Sequence, residues 1–387
     1  MWKTLRLGDI CNISIGKTPS RSDKKYWDIN KQTNNVWLSI ADLTSNKSRY
    51  IADSKEYVSD EGARIFKPVP KETLVMSFKL SIGKLAFTQC ELRTNEAIAA
   101  LPIKDESLVS KEFLYHYLSS LDWDFIAGND VKVKGKTLNK KKLNDLSVLL
   151  PSLPEQQRIV SKLDTIFDEI NKTINACNLT INHLKSLNSN TSREIFKDLR
   201  NNEKIYPIND ACEAIFAGGD APRDSISDTR KGKYLIPVYA NAMKNKGLYG
   251  YTDSARVNKP SVTVAARGSG TGYTQIRYEP FLPIVRLLVL IPNDEKVTVE
   301  FLKYAIENLD VFSSGSAIPQ LTVPMMKRYE IPVPTLSMQQ SLTKKLDSLQ
   351  ENVELCMMTY NKKIESLHAL KTAMLYQELQ TPESEAA

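Results

Sequence analysis

Six lysines and no acid stand within twelve residues at 131–142, VKVKGKTLNKKK. Cations mixed with Ser, Thr, Gly and Tyr recur in GKTPSRSDKKYW (16–27), SFKLSIGK (77–84), APRDSISDTRKGKY (221–234) and AARGSGTGYTQIR (265–277). Contact with phosphate asks for cations and small hydroxyl donors on backbone that can approach closely, and reading base edges asks for a few Arg, Lys, Asn or Gln side chains. These segments hold both kinds. The candidate contacts to nucleic acid are Lys17, Thr18, Ser20, Arg21, Lys24, Lys25, Lys79, Ser81, Lys84, Lys132, Lys134 and Lys136 in the first half. In the second they are Arg223, Lys231, Lys233, Arg267, Ser269, Thr271, Tyr273 and Ser316. Solvated basic loops of kinases and lectins have the same make-up, so composition leaves both readings open.

Catalytic patterns are missing. CNISIGKT at 11–18 ends like a phosphate-binding loop but has Cys11 where that loop needs Gly, and GSGTG at 268–272 is followed by neither Lys-Ser nor Lys-Thr. Neither an Asn-Pro-Pro-Tyr tetrapeptide of adenine methyltransferases nor a Pro-Asp…Glu-x-Lys nuclease cluster occurs, and no Ser/His or Cys/His pair suggests a nucleophile. Five scattered cysteines and three distant histidines make neither a disulfide frame nor a metal site. The expectation is a chain without catalytic, metal or cofactor groups of its own.

The elements that must position the basic segments are announced by a repeat. With a constant shift of 183, residues 138–166 match 321–349 at Leu138, Pro151, Leu153, Gln156, Gln157, Lys162, Leu163 and Asp164. Beyond the identities an apolar pattern persists. Ile159, Leu163, Ile166, Ile170, Ile174, Cys177, Ile181, Leu184 and Leu187 fall opposite Leu342, Leu346, Leu349, Val353, Met357, Tyr360, Ile364, Leu367 and Leu370. Steps of three and four put these side chains on one stripe of a long helix. A helix of ~37 residues spans ~55 Å, longer than a domain of this size is wide, so two such helices are expected to bury their stripes against each other. Asn171, Asn175 and Asn178 flank the first stripe, either fixing its register or facing solvent. Pro151 and Pro154, and likewise Pro332 and Pro334, close strand-like segments, and Ser152 or Ser337 is placed to cap the helix that follows.

What precedes each helix reads as a globule. VWLSIADL, TLVMSFKL and AIAALPI in the first, and LIPVYANA, SVTVAAR and IVRLLVLI in the second, read as β-rich segments around one helix, SKEFLYHYLSSL or TVEFLKYAIENL. The globules also echo each other: EFLYHYLSSL at 112–121 resembles EFLKYAIENL at 300–309 with a shift of 188. The expected organisation is a recognition globule at 1–151, a spacer helix at 152–203, a second globule at 204–335, a second spacer at 336–380 and a flexible tail at 381–387. A net charge of +7 permits a polyanionic partner. The longest apolar stretch, PFLPIVRLLVLIP at 280–292, is broken by Arg286 and three prolines, so a soluble, unexported protein without a membrane span is expected.

The plan of globule, helix, globule, helix, the phrase PSLPEQQRIVSKLD with its cousin PTLSMQQSLTKKLD, and the opening GKTPS…YW…WLSIADL resemble the specificity subunit of type I restriction-modification systems. The resemblance covers essentially the whole chain. It implies an α+β fold in which two α/β target-recognition domains alternate with two long helices paired as an antiparallel coiled coil, a pseudo-two-fold internal repeat. It also implies a cytoplasmic bacterial or archaeal protein that binds double-stranded DNA, each domain reading one half of a split, asymmetric target. Two methyltransferase subunits would dock on the helices, and restriction subunits would join through them. S-adenosylmethionine, ATP and Mg belong on those partners. Docking and coiled-coil contacts fall to Glu155, Gln156, Gln157, Ile159, Leu163, Ile166 and Ile170, and to Gln339, Gln340, Leu342, Leu346, Leu349 and Val353. The sequence departs from the family pattern at Met338, where the first copy has Glu155, and at Glu96, where recognition domains often carry Gln. A specificity chain of a related restriction class and a coiled-coil adaptor that binds no DNA remain as alternatives.

Overall fold

The computed structural model describes residues 2–128, 138–222, 225–309 and 320–379, with only the backbone of 131–132, 135–136 and Ser269. The chain divides into two compact units, Met1–Ala176 with Lys363–Ala387, and Cys177–Lys362. Each holds one globule and parts of two long helices, Leu153–Asn202 and Leu336–Leu379. The expected tail at 381–387 lies outside the described residues.

Each globule is closed by pairing its first strand with its last. Lys3–Arg6 runs antiparallel to Ser147–Leu150, with Lys3 opposite Leu150, and in the second unit Ile205–Pro207 runs antiparallel to Glu330–Pro332. Pro151 follows directly, and Pro334 follows after Val333, whose N–H still donates to the carbonyl of Lys204. Having no N–H the two prolines cannot extend the ladder, and the long helices begin two residues later.

Between the closing strands the two globules use one plan. The first has a five-stranded sheet in the order Ser14–Ile15, Ile98–Ala100, Leu74–Ser77, Leu85–Thr88, Tyr50–Ile51. Its second has a four-stranded counterpart, Cys212–Ala217, Leu288–Pro292, Ser261–Val264, Thr274–Arg277. A three-stranded sheet stands beside each, with Val36–Leu38 or Ile236–Tyr239 in the middle. Both main sheets contain an antiparallel hairpin: Leu74–Ser77 with Leu85–Thr88 inside the first, and Ser261–Val264 with Thr274–Arg277 at the edge of the second.

One helix covers each main sheet. Lys111–Ser120 is capped by Ser110, whose hydroxyl accepts from the N–H of Phe113, and Val299–Glu307 is capped by Thr298, whose hydroxyl accepts from the N–H of Phe301, both at 3.2 Å. Phe113, Leu114, Tyr117 and Leu118 are buried, as are Phe301, Leu302, Ala305 and Ile306. The spacing i, i+1, i+4, i+5 puts each set on one face, which is why these segments form amphipathic helices rather than strands.

Each unit seats its globule on the helices. In the first, Ile159 and Leu163 join the core of Phe113, Tyr117 and Leu150, and Met374, Leu375 and Leu379 of the second long helix close over the same core. Lys162 pairs with Glu378 at 2.6 Å and Lys371 donates to Asn171 at 3.0 Å, so numbers rise along one helix as they fall along the other: the pairing is antiparallel. Within the second unit, Phe196 and Leu199 share a core with Leu346, and partly buried Leu342 packs against it.

Three expectations are corrected. VWLSIADL is strand only over Val36–Leu38 and then becomes helix Ile40–Ser45, because Ser39 and Asp42 form a reciprocal capping box. Ser337 does not cap the second long helix; it lies inside the first turn, and the Thr335 hydroxyl accepts from the N–H of Met338 at 3.4 Å. Leu187 and Leu370 leave the stripe and are 53% and 46% exposed. Each three-residue step lags the helix by about 60°, so the two consecutive threes that end the pattern carry these leucines about 120° off the buried face.

Candidate nucleic-acid interface and its mounting

The site is built on two hairpin tips. In the first globule, Phe78–Lys84 joins the paired strands, with Leu80 and Gly83 at φ +63° and +81°. Gly83 packs so closely on Trp123 that a Cβ there would lie 2.1 Å from the indole, so only glycine fits. The carbonyl of Ser81 accepts the Ser77 hydroxyl, which in turn accepts from the N–H of Lys84 at 3.0 Å. Ser81 thus serves the turn through its backbone. Lys79 lies 5.2 Å from the ring of Phe78, Lys84 is exposed, and neither pairs with a carboxylate among the described residues. Two residues beyond Trp123, Phe125 is 83% exposed. Nothing in its sequence neighbourhood marks it.

Lys17 and Thr18 come to the same end of the sheet. Gly16 donates to Ile98, Lys17 to the carbonyl of Thr94, and Phe78 donates to Ala97, so segment 94–98 is held by loop 16–18 on one side and the hairpin on the other. The Thr18 hydroxyl is bound by Glu96, which gives the departure at that position a local role.

The rest of that loop is occupied with itself. Arg21 stacks 4.2 Å from the ring of Trp27 and 4.9 Å from that of Trp37 while its guanidinium bridges Glu56. Ser20 accepts the Trp27 indole N–H at 3.0 Å, and Lys25 pairs with Glu61 at 3.3 Å. Arg21, Lys24, Trp27 and Tyr57 line a cavity of about 400 Å³. As positioned, Arg21 and Lys25 are tied to carboxylates, contacts that the sequence, with the partners 35 and 36 positions apart, does not announce.

In the second globule the tip is Ala265–Tyr273. Gly268 and Gly272 have φ +79° and +90°, the Thr271 hydroxyl donates to the carbonyl of Gly268 at 2.8 Å, and the carbonyl of Tyr273 accepts from Ala265. The Asn241 amide clamps the loop, its oxygen accepting from the N–H of Ala266 and its nitrogen donating to the carbonyl of Arg267 at 3.1 Å. Arg277 underpins the hairpin: buried, stacked 3.6 Å from the Tyr239 ring and donating to Thr263 at 3.2 Å. Lys231 and Lys233 stand on a separate turn, where Lys233 pairs with Asp253 at 3.1 Å. Arg223, Ser316, Lys134 and the side chains of Lys132, Lys136 and Ser269 lie outside the described residues. Leu138 and Leu321 meet the two hairpins in the same way, donating to the carbonyls of Phe78 and Ala266.

The repeated Gln-Gln phrase mounts these globules. Gln156 is fully buried; its oxygen accepts from the N–H of Ser110 at 2.9 Å and its nitrogen donates to the carbonyls of Leu108 and Pro151 at 3.0 Å. Gln339 repeats this, accepting from Thr298 at 2.9 Å and donating to Lys296 and Pro334 at 2.8 Å. Each therefore ties the N-cap of a globule helix to the start of a long helix. The expectation that Gln156 and Gln339 face a partner is corrected: they have no surface to offer, while Gln157 and Gln340 are exposed. Ile159, Leu163 and Leu346 are likewise buried within their own units, with Ile170 and Val353 nearly so and Ile166, Leu342 and Leu349 half-buried.

A second tie follows two turns on. Asp164 meets Nε2 of His116 at 2.7 Å and Arg49 at 2.9 Å; its repeat partner Asp347 accepts from the Tyr304 hydroxyl at 2.6 Å. His116 and Tyr304 are related by the same shift of 188 as the helices that carry them. Burial pushes the pKa of His116 down, Asp164 opposes this and Arg49 adds to it. Tyr304 is pushed up by burial and by Asp347. Glu155 is held by Arg158 at 2.7 Å, which lowers its pKa, and both are missing from the second copy, where Met338 and Ser341 stand.

The chemistry on offer is recognition. Among the described residues there is no group of three His, Cys, Asp or Glu that could hold a metal, and no helix long and apolar enough to cross a membrane. Cys11 is buried and its thiol is pushed up to about 12. Two globules of one plan, each offering a hairpin with cations unpaired among the described residues and each fixed to a long helix by the same three glutamine bonds, define a duplicated recognition scaffold.

The family described as the type I restriction modification DNA specificity domain matches residues 1–177 and 201–366. The chain belongs to that family and is a type I specificity subunit with two target-recognition domains. It is 28% identical over 270 residues to a Mycoplasma pneumoniae protein named as a type I specificity subunit, S.MpnORF507P, covering 69% of this chain and 71% of that one. A chain from a solved structure described as concerning complex assembly and conformational transition of the type I R-M system superposes with a TM-score of 0.74 at 17% identity, covering 97% of both. An HsdS subunit from Thermoanaerobacter tengcongensis gives 0.54 at 16%, covering 98% of this chain and 96% of that one. At such identities these two speak for the fold.

Proposed function

We propose that the two recognition domains read the two halves of a bipartite, asymmetric DNA target, and that the long helices dock two adenine methyltransferase subunits and, through them, restriction subunits. The chain itself is a non-catalytic reader in this account. S-adenosylmethionine, ATP and Mg are assigned to the partners. The observation that carries the reading is the duplication of the mounting: Gln156 and Gln339 make the same three bonds, whereas the hairpins they support differ in length, charge and glycine content. Like mounts suit like partners, and unlike hairpins suit unlike half-sites. Joining two weak readers also makes the second contact intramolecular and raises affinity without new chemistry.

Docking is assigned to exposed residues beside the mounts, Gln157 and Gln340, together with half-buried Glu155 and exposed Arg158 in the first copy, whose counterparts by the shift of 183 are Met338 and Ser341. The test is co-purification of the chain with its methyltransferase partner. Two partners per chain and binding to one split sequence are expected. One partner per chain, or no sequence preference, would overturn the proposal.

A further inference from the structure

We propose that Arg267 reads a guanine in the half-site recognised by residues 204–335, an inference that rests on the proposed division of the target between the two domains. Arg267 has a fixed backbone and, among the described residues, an unpaired side chain. Its carbonyl is held by Asn241 at 3.1 Å, it bridges Gln320 across an antiparallel β-bridge, and its neighbour Ala266 is bound on both sides, by Asn241 at its N–H and by Leu321 at its carbonyl. Behind the tip, Gly270 leaves no room for a Cβ, which would lie 2.7 Å from Met243. Ahead of it, Gly268 has nothing within 4 Å of where a Cβ would stand. Among the described residues the loop is thus packed on one side and open on the other, and Arg267 is exposed at the open side.

Its guanidinium has no carboxylate partner among the described residues. This separates it from Arg230, which reaches Glu279, from Arg256, which lies over Phe216 and donates to the carbonyl of Ala217, and from Arg277, which is buried. The planar fork of an arginine matches the paired acceptors N7 and O6 that guanine alone presents in the major groove. A β-ribbon fits that groove. Holding the backbone in place beforehand reduces the ordering that binding would otherwise require, so a rigid tip with one free fork is suited to discriminate rather than merely to attract. The first hairpin carries Lys79 and Lys84 instead, compact charges without a fork, so the two hairpins are expected to read differently.

The experiment measures binding of the complex of this chain with its methyltransferase partners to duplexes in which each base pair of the target is changed in turn, at several salt concentrations. It compares the unaltered protein with Arg267→Ala, Arg267→Lys and Asn241→Ala. Arg267→Ala should lower discrimination at one G·C pair of one half-site by about 5- to 150-fold, the 1–3 kcal/mol of one bidentate contact, and leave the other half-site unchanged. Arg267→Lys should restore charge but not discrimination. Asn241→Ala, which touches only backbone, should lower discrimination at the same pair without altering the salt slope. A uniform loss on all sequences with a shallower slope would make Arg267 a phosphate contact and overturn the proposal, as would unchanged discrimination. If the unaltered complex shows no preference at any position, it is the division of the target that fails.

Discussion

Replacing Gln156 with alanine tests the mounting of the first recognition domain. The side chain has no exposed surface and makes three bonds of 2.9–3.0 Å, so their loss strands the carbonyl of Pro151 in a buried place and the N–H of Ser110 and the carbonyl of Leu108 in partly buried ones. At ~1 kcal/mol net for each bond, the junction should weaken by about 3 kcal/mol. The N-cap of helix Lys111–Ser120 is one end of these bonds, so that helix should feel the loss first. Amide hydrogen exchange resolves it: protection of 111–120 should fall by roughly 100- to 200-fold, while 299–307, mounted on Gln339, keeps its own. Gln339→Ala should give the mirror result. A fall of less than about tenfold, or equal falls in both helices, would refute the view that each glutamine secures its own globule.

The junctions should also differ in their response to acid. His116 has a folded pKa below its ordinary 6.5, so the unfolded chain takes up the proton first; its contribution is fully present above about pH 6.5 and lost as pH falls from there through the folded value. Arg49, Asp164, Glu112 and the rings of Tyr115 and Phe167 surround it, and Tyr304 in the other unit carries no such proton. Protection of 111–120 should therefore decline between pH 7 and 5 more than that of 299–307, and His116→Tyr should remove the difference. Neutralising Lys132, Lys134 and Lys136 should weaken binding to all sequences and flatten the salt dependence by up to ~0.9 per lost phosphate contact, read from binding at several ionic strengths. Loss on a single sequence would make those lysines base readers.

Much of the architecture was legible because it rests on local rules. The repeated apolar steps announced the helices, and prolines without N–H groups marked the ends of the closing strands. The capping box at Ser39 and Asp42 was also local, but an apolar run masked it. Aligning Ser152 with Thr335 by the shift of 183 would have pointed to the correct cap in place of Ser337. The site was less legible, since it depends on partners far apart in the chain. No local pattern tells that Arg21 will be spent on Glu56 and two tryptophans, that Asp164 and Asp347 will find His116 and Tyr304, or that Phe125 will stand exposed. Gln156 and Gln339 were conspicuous by repetition, yet repetition alone does not separate a docking surface from a buried clamp; only burial does.

The account stands on two readers that act separately. Exchanging residues 204–335 for the corresponding domain of another specificity subunit, and mapping modified adenines in DNA from cells that express the hybrid with its partners, tests that directly. One half of the recognised sequence should change while the other half and the gap between them stay as they were. A change in both halves, or in neither, would contradict it.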